Sequence, residues 1–224
     1  MTRASAAGRA RRHYEAALAA ERQGRLAAAV KAYVACLKVA PDLAEAANNL
    51  GRCYLRLGKV EAAGKALRRA DRLRPGDPVV LGNLSLWARA AGDLAAATGY
   101  LERAAQAAPT PETLRALVGA WRRRDRPEEA LAWAKRLRAA GGDTLSDMSE
   151  FLHLARTVCD WDALEALDEA AVRRRLAEDG GYAGSPFRYY AHVADPLVLK
   201  DVAARAAALA ARDVAAPAAP AGDA

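Results

Sequence analysis

The side chains best able to ligate metals or act as nucleophiles are three histidines, His13, His153 and His192, and three cysteines, Cys36, Cys53 and Cys159, in a chain of 224 residues. No two histidines stand at a helical ligand spacing, and none has a cysteine or carboxylate partner at the spacing of a zinc site. An odd, sparse cysteine count argues against a disulfide framework and fits a reducing, cytoplasmic setting. These residues therefore predict no metal, no cofactor and no catalytic group. His13 falls at a bulky packing position, Cys36 at a small-residue position, and Cys159 reads as a packing residue at a joint. Recognition chemistry is better represented. Asn49 and Asn83 carry amides that offer both a donor and an acceptor, the pair of functions needed to hold the peptide unit of an extended chain. Arg52, Arg56, Arg89, Arg115 and Arg122 could hold acidic or phosphorylated segments. Each set also has a plainer account, as ordinary polar residues and solvated arginines on helix faces.

The elements that position these residues follow from a repeat. Asn49 and Asn83 are 34 residues apart, and the same step separates Gly24, Gly58 and Gly92. It also separates Pro41, Pro75 and Pro109, then Ala29, Ala63 and Ala97, then Tyr33, Leu67 and Leu101, then Cys36, Ala70 and Ala104. Each position has a physical task in a helix pair. The glycine turns the chain after the first helix, where a left-handed residue is needed. The alanine lets the second helix approach the first, the bulky residue four positions on fills the gap between units, and the proline stops the second helix. With Leu50-Gly51-x-x-Tyr54, this 34-residue register resembles the tetratricopeptide family. The resemblance implies an all-α solenoid of helix-turn-helix units in a right-handed superhelix, closed by a C-terminal non-repeat helical cap. The units span 10–43, 44–77, 78–110 and 111–143, after a flexible 1–9. The fourth is degenerate, with Leu114, Leu117, Trp121 and Ala130 as its marks and Asp125-Arg126-Pro127 in place of the turn glycine. A further first helix is predicted from Leu145 to Val158, with Met148, Phe151, Leu152 and Ala155 on one face.

Beyond residue 158 the pattern changes. A helix is predicted from Asp160 to Ala177, a loop over 180–186, and a last helix opened by Asp195-Pro196. Residues 144–213 thus form capping or joining helices, followed by a Pro/Ala-rich tail over 214–224. Cys159-Asp160-Trp161, then Ser185-Pro186-Phe187, then Asp195-Pro196, resembles the joining region of bacterial O-linked N-acetylglucosamine transferases of the SPINDLY-like kind. In that family a repeat superhelix leads into a two-lobed sugar-nucleotide transferase, and a column of asparagines on the first helices holds protein substrates. The resemblance covers roughly 44–213. It implies a substrate-presenting half without the glycine-rich nucleotide-binding turns of the catalytic lobes, so no sugar transfer is expected from these residues alone.

The same resemblance puts Asn49 and Asn83, with Arg52, Arg56, Arg89, Arg115 and Arg122, on or near a concave groove lined by first helices. The expected partner is a protein or extended peptide segment, acidic where the arginines contribute. The formal charge of +7 and arginine clusters at 9–12, 68–74, 122–126 and 173–175 make nucleic acid a further candidate. It ranks last, behind a free-standing adaptor for protein assembly, because acids interrupt the clusters and aromatics are not interleaved with them. Charges or glycines interrupt every apolar run, so no membrane span is predicted.

Overall fold

A computed structural model describes residues 3–142 and 144–165, and the elements among them are helices. In order they are α1 (Arg3–Arg22), α2 (Leu26–Val39), α3 (Ala44–Arg56), α4 (Val60–Leu73), α5 (Pro78–Ala90), α6 (Leu94–Ala107), α7 (Pro111–Arg123), α8 (Pro127–Ala139), α9 (Leu145–Thr157) and α10 (Trp161–Glu165). The chain divides into two compact units, 1–126 and 127–224. The predicted helix beyond Glu165, Ser185-Pro186-Phe187, Asp195-Pro196, His192 and the 214–224 tail lie outside the described residues.

In the first unit α1 packs on α2, α3 on α4 and α5 on α6, and each second helix packs on the first helix of the next pair. The corners share one geometry. Gly24, Gly58 and Gly92 have φ of 71°, 70° and 83°, the left-handed region that a Cβ disfavours. One residue later the backbone N–H reaches back to close the helix end: Arg25 N to Ala20 O at 2.9 Å, Lys59 N to Tyr54 O at 2.9 Å, Asp93 N to Ala88 O at 2.9 Å. The degenerate unit keeps this corner without glycine. Asp125 takes φ 56° and Arg126 N bonds Trp121 O at 3.2 Å. Aspartate tolerates that conformation better than most side chains do.

The alanines that the spacing assigns to helix crossings are enclosed, with Ala29 and Ala63 at 0% exposure. Tyr33 and Leu67 are also fully buried, and Leu101 is buried. Gly51 shows how close the crossing is, since a Cβ there would stand 2.5 Å from Leu67 Cγ and 3.3 Å from the Ala63 carbonyl oxygen. Between units the contact is similar: a Cβ on Gly64 would stand 2.5 Å from Trp87 Nε1, which donates instead to Val60 O at 3.1 Å. Asp77 caps α5 by accepting from Val79 N at 2.9 Å and Val80 N at 3.2 Å, ahead of Pro78.

One boundary differs from expectation. Residues 3–9 are not a flexible lead but the opening turns of α1. Alanine-rich sequence favours the helix there, and Ala10 is buried with its carbonyl accepting from Cys36 Sγ at 3.3 Å.

The second unit contains α8, α9 and α10. A capping box, Thr144 with Asp147, starts α9. Met148, Phe151 and Ala155 are buried as their spacing suggests, but Leu154 rather than Leu152 completes the apolar face. The corner after α9 repeats those of the first unit. Cys159, 34 residues after Asp125, takes φ 56°, and Asp160 N bonds Ala155 O at 2.8 Å. The repeat spacing therefore continues into α10.

Candidate functional site

The two asparagines are placed at equivalent points, but not as free amides. Asn83 Nδ2 donates to Asn48 Oδ1 at 2.8 Å, with both residues buried. Asn49 Nδ2 donates to the Tyr14 hydroxyl at 3.1 Å. The two bonds have the same offset: each asparagine reaches a residue 35 positions back on the preceding first helix. They form a ladder that ties α1 to α3 and α3 to α5. The ladder stops there, because Gly82 and Ala116 occupy the corresponding positions on α5 and α7.

The arginines divide in the same way. Glu21, at the end of α1, accepts from Arg52 Nη2 at 2.6 Å and from the Tyr33 hydroxyl at 3.1 Å, and Arg56 Nη1 lies 3.8 Å from it. Burial and the neighbouring Glu21 carboxylate both push the Tyr33 hydroxyl upward, and the same two causes push the Cys53 thiol up to about 11. Arg52 and Arg56 thus already share an internal carboxylate. Arg115 stands 3.8 Å from Glu112 on its own helix, and Arg122 is exposed at the end of α7. Arg89 and Arg123 have no acidic partner among the described residues. Arg123 is held below the ordinary guanidinium range by burial first, then by the positive charges of Arg89 and Arg122.

Arg89, Arg115 and Arg123 line one pocket of about 430 Å³ between α5, α6 and α7. Its walls are mostly small or apolar: Gly82, Ala116 and Gly119 where the first helices face each other, Leu94, Ala97 and Leu101 from α6, and Val79 and Leu86 at the mouth. Val79 and Leu86 are large apolar residues left 64% and 43% exposed. The spacing singled out Arg89, Arg115 and Arg122 but not Arg123, Glu21 or Asn48. Tyr14 and Asn48 are themselves 34 residues apart, a polar pair beside the asparagines that could have revealed the ladder.

Residues 6–78 match the tetratricopeptide repeat family model. The helix pairs within 6–78 are tetratricopeptide repeats, and the later pairs share their fold. No curated protein sequence matches the chain. Among solved structures, tetratricopeptide stacks similar to this one include MamA, at 14% identity and a TM-score of 0.65, covering 79% of this chain and 96% of MamA. PilF of Pseudomonas aeruginosa is similar at 15% identity and a TM-score of 0.62, covering 95% of this chain and 89% of PilF. A mutant O-GlcNAc transferase of Thermobaculum terrenum is similar at 29% identity and a TM-score of 0.52, covering 61% of this chain and 27% of the transferase. The first tetratricopeptide domain of Spaghetti (RPAP3), solved bound to the HSP90 peptide SRMEEVD, is similar at 20% identity and a TM-score of 0.50, covering 51% of this chain and 92% of that domain.

At the predicted joint, each residue of Cys159-Asp160-Trp161 performs a tetratricopeptide corner's work. Cys159 is the left-handed turn residue and is exposed, not packed, because its side chain must leave a sharp corner. Asp160 caps α10 by accepting from Ala163 N at 3.0 Å and also accepts from Lys135 Nζ at 2.6 Å. These bonds, Lys135 first, hold its carboxyl below the usual range. Trp161 opens α10 and is 65% exposed. The other cysteines are buried, and burial pushes the Cys36 thiol up. His13 is half-buried and His153 exposed. Among the described residues no cluster of histidine, cysteine and carboxylate could hold a metal ion, and no helix is long and apolar enough to cross a membrane.

Proposed function

We propose that this chain is a protein-recognition scaffold whose first helices hold client segments, and that it serves as the client-holding part of a protein O-GlcNAc transferase-like system. The observation that carries the finer reading is the 29% identity to the transferase structure, against 14%, 15% and 20% for MamA, PilF and the Spaghetti domain. The residues themselves support binding: the first helices carry amides and guanidinium groups, and the buried thiols are held protonated. Several basic clusters have local engagements that compete with a role on nucleic acid. Arg68 lies 4.8 Å over Trp87, Arg124 lies 4.4 Å over Trp121, and Arg69 donates to Pro41 O at 2.5 Å.

The test has two parts. A photo-cross-linking residue placed at Leu86, on the first-helix face, should capture client proteins, and the same residue at Lys65, on an exposed face of a second helix, should not. Equal capture from both positions contradicts the scaffold reading. The mass of the native gene product then decides the finer reading. A product several hundred residues longer that carries nucleotide-binding lobes supports the transferase. A native product of this length supports the second reading, a free-standing adaptor.

A further inference from the structure

The first-helix face changes character where the asparagine ladder ends. On α5, Val79, Gly82, Leu86 and Arg89 follow one another at helical spacing, and on α7 so do Ala116, Gly119 and Arg123. The facing stripes are small or apolar along most of their length and cationic at one end. The acid in the pocket wall, Glu112, belongs to the first turn of α7, the opposite end from Arg123, and pairs with Arg115. Arg123 folds back along its own helix, with Nη1 3.3 Å from where a Cβ on Gly119 would stand. It therefore runs along the pocket wall while remaining exposed, open to a partner.

We propose that this pocket seats a short acidic–apolar segment of a client protein, with one apolar side chain over Gly82, Ala116 and Gly119 and a carboxylate between Arg89 and Arg123. The proposal rests on the scaffold reading and names the segment that the scaffold takes. Charge complementarity selects the occupant. Arg89 and Arg123 lack an acid among the described residues, and Arg123 carries the repulsion of its arginine neighbours, which an incoming carboxylate would relieve. A volume of about 430 Å³ accommodates a leucine- or phenylalanine-sized side chain with its flanking backbone. Geometry sets the spacing. Gly82 and Arg89 are seven residues apart on a helix, a rise of about 10 Å, which an extended peptide spans in about three residues. The preferred segment therefore carries an apolar residue and an aspartate or glutamate three positions apart.

The probe is a fluorescein-labelled peptide, Ser-Gly-Leu-Ser-Gly-Glu-Gly-Ser, titrated against the full chain to about 1 mM. Two control peptides replace its Glu by Gln or its Leu by Ser. The wild-type chain should bind the parent peptide about tenfold or more tightly than either control. The Arg89→Gln/Arg123→Gln variant should lose the preference for Glu over Gln while retaining the preference for Leu. The Ala116→Leu variant fills the pocket and should lose binding of all three peptides without a change in melting. Equal affinity of the wild-type chain for the three peptides, or an unchanged Glu preference in the double arginine variant, overturns the proposal. So does the absence of peptide binding to the wild-type chain. If cross-linking of clients through Leu86 persists in that case, the pocket assignment has failed and the scaffold reading stands. If it is absent too, both have failed.

Discussion

The first helices α1, α3 and α5 meet through polar groups that satisfy one another, whereas α5 and α7 face each other through glycine and alanine. In the former region Tyr14 receives Asn49, Asn48 receives Asn83, and Glu21 gathers Arg52 with Tyr33. In the latter, Gly82, Ala116 and Gly119 leave a pocket, and Arg89 and Arg123 stand at its end without an internal acid among the described residues. The same repeat geometry thus gives a closed surface or an open one according to a few side chains on the facing stripes. Paired amides and carboxylates use their hydrogen bonds inside the scaffold, whereas Arg89 and Arg123, beside small residues, keep theirs for a partner. The most easily noticed sequence feature, the asparagine pair, lies in the closed region.

The largest effect expected from this contrast is steric. Ala63→Leu overpacks a crossing that has no exposure and should destabilise the chain by about 1–3 kcal/mol, seen as a lower melting temperature. Ala116→Leu enters open space and should leave melting nearly unchanged. Ala96→Leu, on a half-buried position one residue before the equivalent crossing, should fall between them. A drop for Ala116→Leu as large as that for Ala63→Leu would mean that α5 and α7 are packed as closely as the helices of a pair.

Electrostatic substitutions come next. Glu21→Ala strands Arg52, Arg56 and the buried Tyr33 hydroxyl together, and should cost about 1–3 kcal/mol in thermal or urea unfolding. Arg89→Gln removes a charge that satisfies nothing inside the scaffold, and its unfolding curve should superimpose on that of the wild type. If Arg89→Gln destabilises as much as Glu21→Ala, Arg89 has a structural partner and the two regions are alike.

The ladder should yield smaller, graded losses. Asn83→Ala leaves Asn48 buried and unpaired, with a loss of about 1–3 kcal/mol as an upper range. Asn49→Ala exposes Tyr14 to water that can replace the amide, so its loss should be nearer 0.5 kcal/mol. These bonds change the meaning of any client-binding loss in the double variant. Such a loss must be measured beside the variant's own melting before it is assigned to contact with a peptide.

The corners and crossings were legible in the sequence because backbone geometry leaves few residue choices. A left-handed turn favours Gly24, Gly58 and Gly92, and a crossing that would reject a side chain on Gly51 also restricts Ala63. Such constraints recur every 34 residues and stand out by spacing alone. Glu21 was not legible because it occurs once, and what makes it central is three partners brought in from other helices. Arg123 was hidden among adjacent arginines until the helix phase separated it from Arg122 and Arg124. The Cys159-Asp160-Trp161 run was noticed as a joint, while its geometry is that of the repeat corner, with cysteine in a place that glycine usually fills.

The smallest effect tests whether the contrast reaches the helix backs. Trp87 and Trp121 are 34 residues apart, yet only one has its indole N–H satisfied. Trp87 Nε1 donates to Val60 O at 3.1 Å, packed closely on Gly64, where any side chain would exclude it. In the structure Trp121 matches Ala88 and not Trp87, because the step from α5 to α7 is one residue short: Arg126 N bonds Trp121 O as Asp93 N bonds Ala88 O. Trp121 Nε1 is buried and finds no acceptor among the described residues. Trp87→Phe removes a made hydrogen bond and should cost about 1 kcal/mol beyond the change in ring area. Trp121→Phe removes an unsatisfied donor as well as ring area, and the relief should offset part of the loss. If the penalty at Trp121 is as large as that at Trp87, the Trp121 indole has an acceptor and the two helix backs are alike.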